Sequence, residues 1–172
     1  MFAYVTLHRP FNVDDKDNLV LIMDELTRLA ENFPVVFPVH PRTRKMFIQY
    51  GIPLNGGPNL KLIDPIGYHD SLCLTERAKF VLTDSGRLQE ESTYLHTPCL
   101  TLRPNTERPI TIEVGTNKLT QPEQLAADIE KSSKNDASLG GYLSFWMVEP
   151  LKGFSTLYSK HSGQRLTART FE

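Results

Sequence analysis

Short apolar runs alternate with amphipathic stretches from the first residues of the chain. Residues 2–7 are rich in β-formers and read as a strand. Across residues 14–33 the apolar positions Leu19, Ile22, Met23, Leu26 and Leu29 recur at the spacing of one helix face, with Asp14 or Asp15 placed to cap its start. Pro34 ends that pattern, and Val35-Val36-Phe37-Pro38-Val39 reads as a buried strand. Residues 42–50 form a short helix closed by Gly51. Then follow a strand at 60–63, a helix at 68–78, a strand at 80–82, a helix at 88–95 and a strand at 99–102. A helix at 121–131 carries Pro122 near its first turn. Repeated βα units with short apolar strands predict an α/β fold, a parallel sheet with helices on both faces. Ligands in such folds gather at the carboxyl ends of the strands. His8, His40, Pro65, Asp84 and Arg103 each fall just after a strand, so one sheet edge is expected to collect them. Residues 1–131 are the expected domain; from Ser132 the pattern collapses, and 132–172 is expected to be an irregular tail.

Composition narrows the classes of partner. A chain of 172 residues suits one domain, and a net charge of -1 draws neither nucleic acid nor an anionic membrane surface. No apolar run approaches the ~20 residues of a membrane-spanning helix. The first residues lack a basic segment followed by a long apolar core, so no signal peptide is expected. Cys73 and Cys99 are too few for a disulfide framework or a metal cage; both are expected to be small buried apolar residues of a protein in a reducing cytoplasm.

The stretch Thr83-Asp84-Ser85-Gly86-Arg87-Leu88-Gln89-Glu90-Glu91 carries the most chemistry. A small-residue turn between a strand and a helix leaves the first helical N–H groups unpaired, and the positive end of the helix dipole joins them in an anion site. Ser85 suits an N-cap or a direct phosphate donor, and Gly86 lets a ligand approach the backbone. Glu90 and Glu91 are adjacent and point in different directions, so at most one faces the site. His8-Arg9-Pro10 and His40-Pro41-Arg42 place a base and a cation at two further strand ends, where a polar loop is the plainer reading of each taken alone. Glu107 and Arg108 form either a local ion pair of little energetic worth or a clamp on the binding loop.

Together these segments resemble a known family. The runs are His8-Arg9-Pro10 with Asn12-Val13-Asp14, Phe37-Pro38-Val39-His40-Pro41-Arg42-Thr43, Asp64-Pro65 with Gly67-Tyr68, Thr83-Asp84-Ser85-Gly86 with Gln89-Glu90-Glu91, Pro98-Cys99-Leu100-Thr101-Leu102-Arg103, Thr106-Glu107-Arg108-Pro109 and Gly115-Thr116-Asn117. In this order they resemble the C-terminal half of the non-hydrolysing UDP-N-acetylglucosamine 2-epimerases, over residues 2–131. The resemblance implies the second of two Rossmann-like domains in a glycosyltransferase-B-like arrangement. It implies an isomerase that inverts C2 of the sugar by eliminating UDP to a 2-acetamidoglucal and adding it back, with no metal and no nicotinamide. It places Ser85, Gly86, Arg87 and the backbone N–H groups there on the diphosphate, Glu91 on the ribose hydroxyls, and His8, as catalytic residue, beside the phosphate–sugar bond. Arg9 and His40 match an allosteric or substrate-contact site of bacterial relatives, and Asp84, Glu107 and Arg108 are structural neighbours of the site. UDP or a UDP-N-acetylhexosamine is the implied ligand. The family's proton-transfer carboxylates lie mostly in an N-terminal domain, so the chain alone is expected not to epimerise and to need that domain, encoded separately, as partner.

Three positions depart from the family pattern. Arg87 stands at a glycine position, where it either clashes with the diphosphate or adds a charged contact to it. Ser71 replaces an aromatic residue, and His96 replaces a glycine where a positive φ is expected. The tail also departs. Reading one nucleotide earlier through Phe145-Trp146-Met147-Val148 forces Leu-Asp-Gly, the family's own ending, so residues 132–172 are expected to be frame-shifted and poorly packed. Two further readings stand beside the epimerase half: a non-catalytic UDP-sugar-binding module, and the donor domain of a glycosyltransferase.

Overall fold

A computed structural model describes residues 1–134. Six strands form one sheet: β1 (Ala3–Thr6), β2 (Val35–Pro38), β3 (Leu60–Ile63), β4 (Phe80–Thr83), β5 (Cys99–Leu102) and β6 (Asn117–Thr120). All pair in parallel, in the order β3-β2-β1-β4-β5-β6. This is the doubly wound Rossmann order, which reverses direction between β1 and β4. The connecting helices are α1 (Pro10–Val13), α2 (Lys16–Ala30), α3 (Pro41–Tyr50), α4 (Tyr68–Arg77), α5 (Gly86–Tyr94), α6 (Ile110–Glu113) and α7 (Leu125–Lys134). Asp15 caps α2 by accepting the Asn18 N–H, and a 3₁₀ turn at Pro122–Gln124 leads into α7.

Alternation along the strands sorts the core into two layers. Ala3, Val5 and Leu7 join Phe80, Leu82, Leu100 and Leu102 in the larger cluster, which Leu19, Ile22 and Leu26 of α2, Phe47 of α3 and Leu125 and Ile129 of α7 complete. Tyr4, Val81 and Cys99 point to the other face, where Leu88 of α5 and the partly buried Leu74 of α4 cover them. This second layer is small, and its remaining buried positions are polar: Thr83, Gln89, Thr101 and Asn117. The polar groups bind one another, with Thr101 Oγ1 donating to Asn117 Oδ1 at 2.6 Å and Asn117 Nδ2 donating to Thr111 Oγ1 at 3.1 Å and Gln89 Oε1 at 3.3 Å.

The strands fall where the apolar runs place them, but three elements escaped the pattern: α1, α6 and β6. Helix α5 begins at Gly86 rather than at 88, because Ser85 caps it and Gly86 and Arg87 are its first helical residues. Helix α7 runs to Lys134, past the expected end at 131. Cys99 is buried as expected, whereas Cys73 is exposed on α4, the helix whose fully buried residue is Thr75. Beyond residue 134 the expectations for the tail lie outside the described residues. Among the described residues no helix is long and apolar enough to cross a membrane.

Two helices end on the same motif with different residues. After α3, Gly51 (φ 71°) donates to Ile48 O and Ile52 donates to Phe47 O. After α5, His96 (φ 56°) donates to Thr93 O and Thr97 donates to Ser92 O. Both are Schellman ends, which need a left-handed residue that glycine enters freely and histidine enters at a cost of roughly 1–2 kcal/mol. His96→Gly is therefore expected to stabilise the domain by about 1 kcal/mol, a rise in melting temperature of roughly 3 °C, once the extra chain entropy of glycine is set against the relieved strain. A thermal melt followed by circular dichroism measures it.

Candidate functional site

The strand order makes a crevice between the carboxyl ends of β1 and β4, and the two loops that line it carry His8-Arg9 and Asp84-Ser85. Asp84 organises it. Its side chain has no exposed surface, and it accepts from the His8 N–H (3.0 Å), the Arg9 N–H (2.8 Å) and Asn12 Nδ2 (3.1 Å). His8 Nδ1 lies 2.9 Å from the other carboxylate oxygen. Burial alone would push the Asp84 carboxyl up, but the hydrogen bonds from His8, Arg9 and Asn12 and the charge of His8 together hold it below the usual carboxylate value. An ionised carboxylate only accepts, so His8 carries its proton on Nδ1, and Nε2 is the nitrogen left free for chemistry.

His40 caps α3 by accepting the Arg42 N–H at its Nδ1, 3.1 Å away. Its ring centroid is 5.5 Å from that of His8. Burial first, and then His8 and Arg42, push His40 down against the pull of Asp84, so the neutral ring with Nε2–H as donor is favoured. Asn12 is buried and donates also to Leu102 O at 2.9 Å, which ties the end of β5 to the same crevice.

The N-terminal tip of α5 opens onto this crevice. The Ser85 N–H is taken by Thr83 Oγ1 at 3.0 Å, and Ser85 Oγ accepts the Leu88 N–H at 3.4 Å. The Gly86 and Arg87 N–H groups have no acceptor among the described residues, as the geometry of a helix start dictates. Arg87 turns back along the helix: its Nε is 2.9 Å from Glu91 Oε1, and its guanidinium lies 4.7 Å from the centre of the Tyr68 ring. Glu91 is mostly buried and lies within electrostatic reach of the Tyr4 hydroxyl; Glu90 pairs with Arg108 at 3.0 Å. Ser71 of α4 binds the Tyr4 hydroxyl at 2.7 Å.

The loop after β5 is fastened to α5 from two sides. Thr106 Oγ1 donates to the fully buried Gln89 at 2.6 Å, and Arg108 grips Glu90. Arg108 thus does not pair with Glu107; Glu107 lies 3.4 Å from Arg103. His8, Arg9, Asp84, Ser85, Gly86, Arg87 and His40 are brought to one edge, with Glu91 one turn further along α5 and Glu107 and Arg108 on the loop beside it. Sequence reasoning assigns no chemical role to Arg103, Gln89 or Asn117. A cation directly after β5 is the available signal for Arg103, and a polar residue at the start of a short strand is the signal for Asn117. A separate concavity of about 410 Å³ lies along α3, lined by Asp14, Arg42, Lys45, Met46, Gln49 and Tyr50. Two of its charged groups are already engaged, Arg42 pairing with Asp14, whose carbonyl accepts from the Tyr50 hydroxyl.

Comparison with known proteins places this arrangement. The chain is 43% identical over 122 residues to the UDP-N-acetylglucosamine 2-epimerase of Methanocaldococcus jannaschii, covering 69% of this chain and 33% of that protein. It is 38% identical over 141 residues to the UDP-N-acetylglucosamine 2-epimerase of Methanococcus maripaludis, 78% of this chain and 38% of that one. The crystal structure of the M. jannaschii enzyme in complex with UDP-GlcNAc and UDP superposes with a TM-score of 0.73 at 38% identity, over 78% of this chain and 39% of that one. The chain thus spans about a third of the length of these relatives. The family model described as UDP-N-acetylglucosamine 2-epimerase matches residues 1–144, and the chain belongs to that family.

Proposed function

We propose that the chain is the nucleotide-binding half of a UDP-N-acetylglucosamine 2-epimerase site and that it binds UDP or a UDP-N-acetylhexosamine at the tip of α5. The diphosphate sits on the free N–H groups of Gly86 and Arg87, Ser85 supplies a hydroxyl beside them, and Glu91 takes the ribose hydroxyls. When the bond between the sugar and the β-phosphate breaks, charge builds on the departing oxygen. Donors already aimed at that position lower the barrier without reorganising. His8 Nε2, oriented by Asp84, stands at this position as the catalytic group of this half. A further domain, the partner in this reading, supplies the carboxylates that move the C2 proton, and the protein works in the cytoplasm. The observation that carries the reading is the Asp84–His8 pair beside the start of α5, where the Gly86 and Arg87 N–H groups have no acceptor among the described residues, in a chain of this family.

The test has two parts. Calorimetric titration of the full chain with UDP is expected to show saturable binding. Conversion of UDP-GlcNAc to UDP-ManNAc, followed by chromatography, is expected to be absent with the chain alone and to appear when the N-terminal domain of a family member is added. Turnover by the chain alone would overturn the division of labour.

One observation favours a second reading, a non-catalytic UDP-sugar-binding module: Arg87 already engages Glu91, the residue that would take the ribose. The exposed ion pair is worth about 0.5 kcal/mol and the contact with Tyr68 about the same. Releasing both is expected to raise UDP affinity about fivefold in Arg87→Gly, read in the same titration. A fall in affinity would instead assign Arg87 a contact with the diphosphate.

A further inference from the structure

Arg103 follows β5, and only 12% of its side chain is exposed. Its Nη1 is sealed from solvent and has no hydrogen-bond partner among the described residues. Its one ionic neighbour among them is the exposed Glu107, 3.4 Å from Nη2. A methyl group built on Gly86 would lie 3.7 Å from Nη1, so the guanidinium rests directly over the first residue of α5. A largely buried cation has thus been brought to the positive end of a helix dipole, beside two N–H groups that are themselves unpaired. Each of these donors raises the cost of leaving the others empty, and an anion bound among them satisfies all three.

We infer that Arg103 is a phosphate-binding residue of this site and makes it selective for a nucleoside diphosphate over the monophosphate or the nucleoside. The inference rests on the placement of UDP at the α5 tip proposed above. The guanidinium adds a fixed positive charge to backbone donors that carry only partial charge, so affinity rises with the charge on the phosphate chain. During elimination the same charge faces the phosphate that leaves, and Arg103 then stabilises it alongside the α5 amides.

The experiment titrates the full-length wild-type chain, Arg103→Gln and Arg103→Lys with UDP, UMP and uridine. Arg103→Gln is expected to lose about thirtyfold in UDP affinity, less for UMP and nothing for uridine, with Arg103→Lys between it and wild type, because an ammonium keeps the charge and loses the fork. Without ligand, Arg103→Gln is expected to melt at or above the wild-type temperature, since the substitution removes a largely buried charge whose one carboxylate neighbour among the described residues is exposed. A merely structural arginine would give the opposite: a lower melting temperature and equal losses for UDP and uridine. UDP binding by Arg103→Gln within twofold of wild type overturns the role of Arg103 and leaves the placement of UDP standing. No saturable binding of UDP by the wild-type chain overturns that placement, and this inference with it.

Discussion

Asp84→Ala is expected to destabilise the domain by about 3–5 kcal/mol, a large share of the ~5–15 kcal/mol that holds a domain of this size together. The carboxylate is fully buried and accepts from two consecutive backbone N–H groups, from Asn12 Nδ2 and from His8 Nδ1. Removing it strands those donors around a buried gap, at about 1–3 kcal/mol for each buried group left unsatisfied, partly relieved by water entering the gap. Asp84→Asn is not a mild substitute. Both oxygens accept, so either orientation of the amide turns its NH₂ toward donors. Acidity provides the control. The Asp84 carboxyl is held below the usual value of 3.8 in the folded state, so its contribution is fully present above that pH. It is lost as the pH falls through the lower, folded value. Urea melts are therefore expected to show a constant gap between wild type and Asp84→Ala from pH 8 to 5 and a narrowing gap below about 3.8. A gap that persists unchanged at low pH would mean that packing, not the charge, carries the effect.

His8, Asp84 and Ser85 were legible in the sequence because each follows an apolar strand, and a parallel sheet puts all such positions on one edge. The capped start of α5 was legible from Ser85-Gly86, although the helix takes in Gly86 and Arg87 as well. β6 was not legible: Asn117-Lys118-Leu119-Thr120 has one large apolar residue, and its buried ends are the polar Asn117 and Thr120, the first of them held by side chains from other elements. α1 and α6 are single turns, too short to show a period. Partner choice was hidden for a different reason. Whether Arg108 meets Glu107 or Glu90 depends on how a loop lies against a helix, which spacing along the chain does not encode. The Arg87–Glu91 pair has the i,i+4 spacing of one helix face and was hidden only because the helix was expected to start at 88.

Gly86→Ala is expected to leave the fold intact and to cost at least tenfold in UDP affinity, and the contrast with Gly115 shows why. A Cβ at Gly115 would stand 2.3 Å from Thr111 O and 2.8 Å from Thr93, so that glycine is required by the fold itself. A Cβ at Gly86 meets only Arg103 Nη1 at 3.7 Å, an ordinary contact, and its backbone is not in the left-handed region. Nothing in the packing of the described residues demands a glycine there, and alanine favours a helix by up to about 1 kcal/mol, less at a first turn. The residue that packing leaves free to vary is the one a phosphate oxygen would need bare, because a methyl group over the helix tip holds the anion about 1–1.5 Å further from the N–H groups and lengthens its hydrogen bonds beyond useful range. A loss of tenfold corresponds to about 1.4 kcal/mol, the worth of one such bond. The measurement pairs a thermal melt, expected to match or exceed wild type, with calorimetric titration of UDP. Undiminished binding in a variant that melts normally would place the diphosphate away from the α5 tip, and the proposed roles of Ser85, Glu91 and Arg103 would fall together.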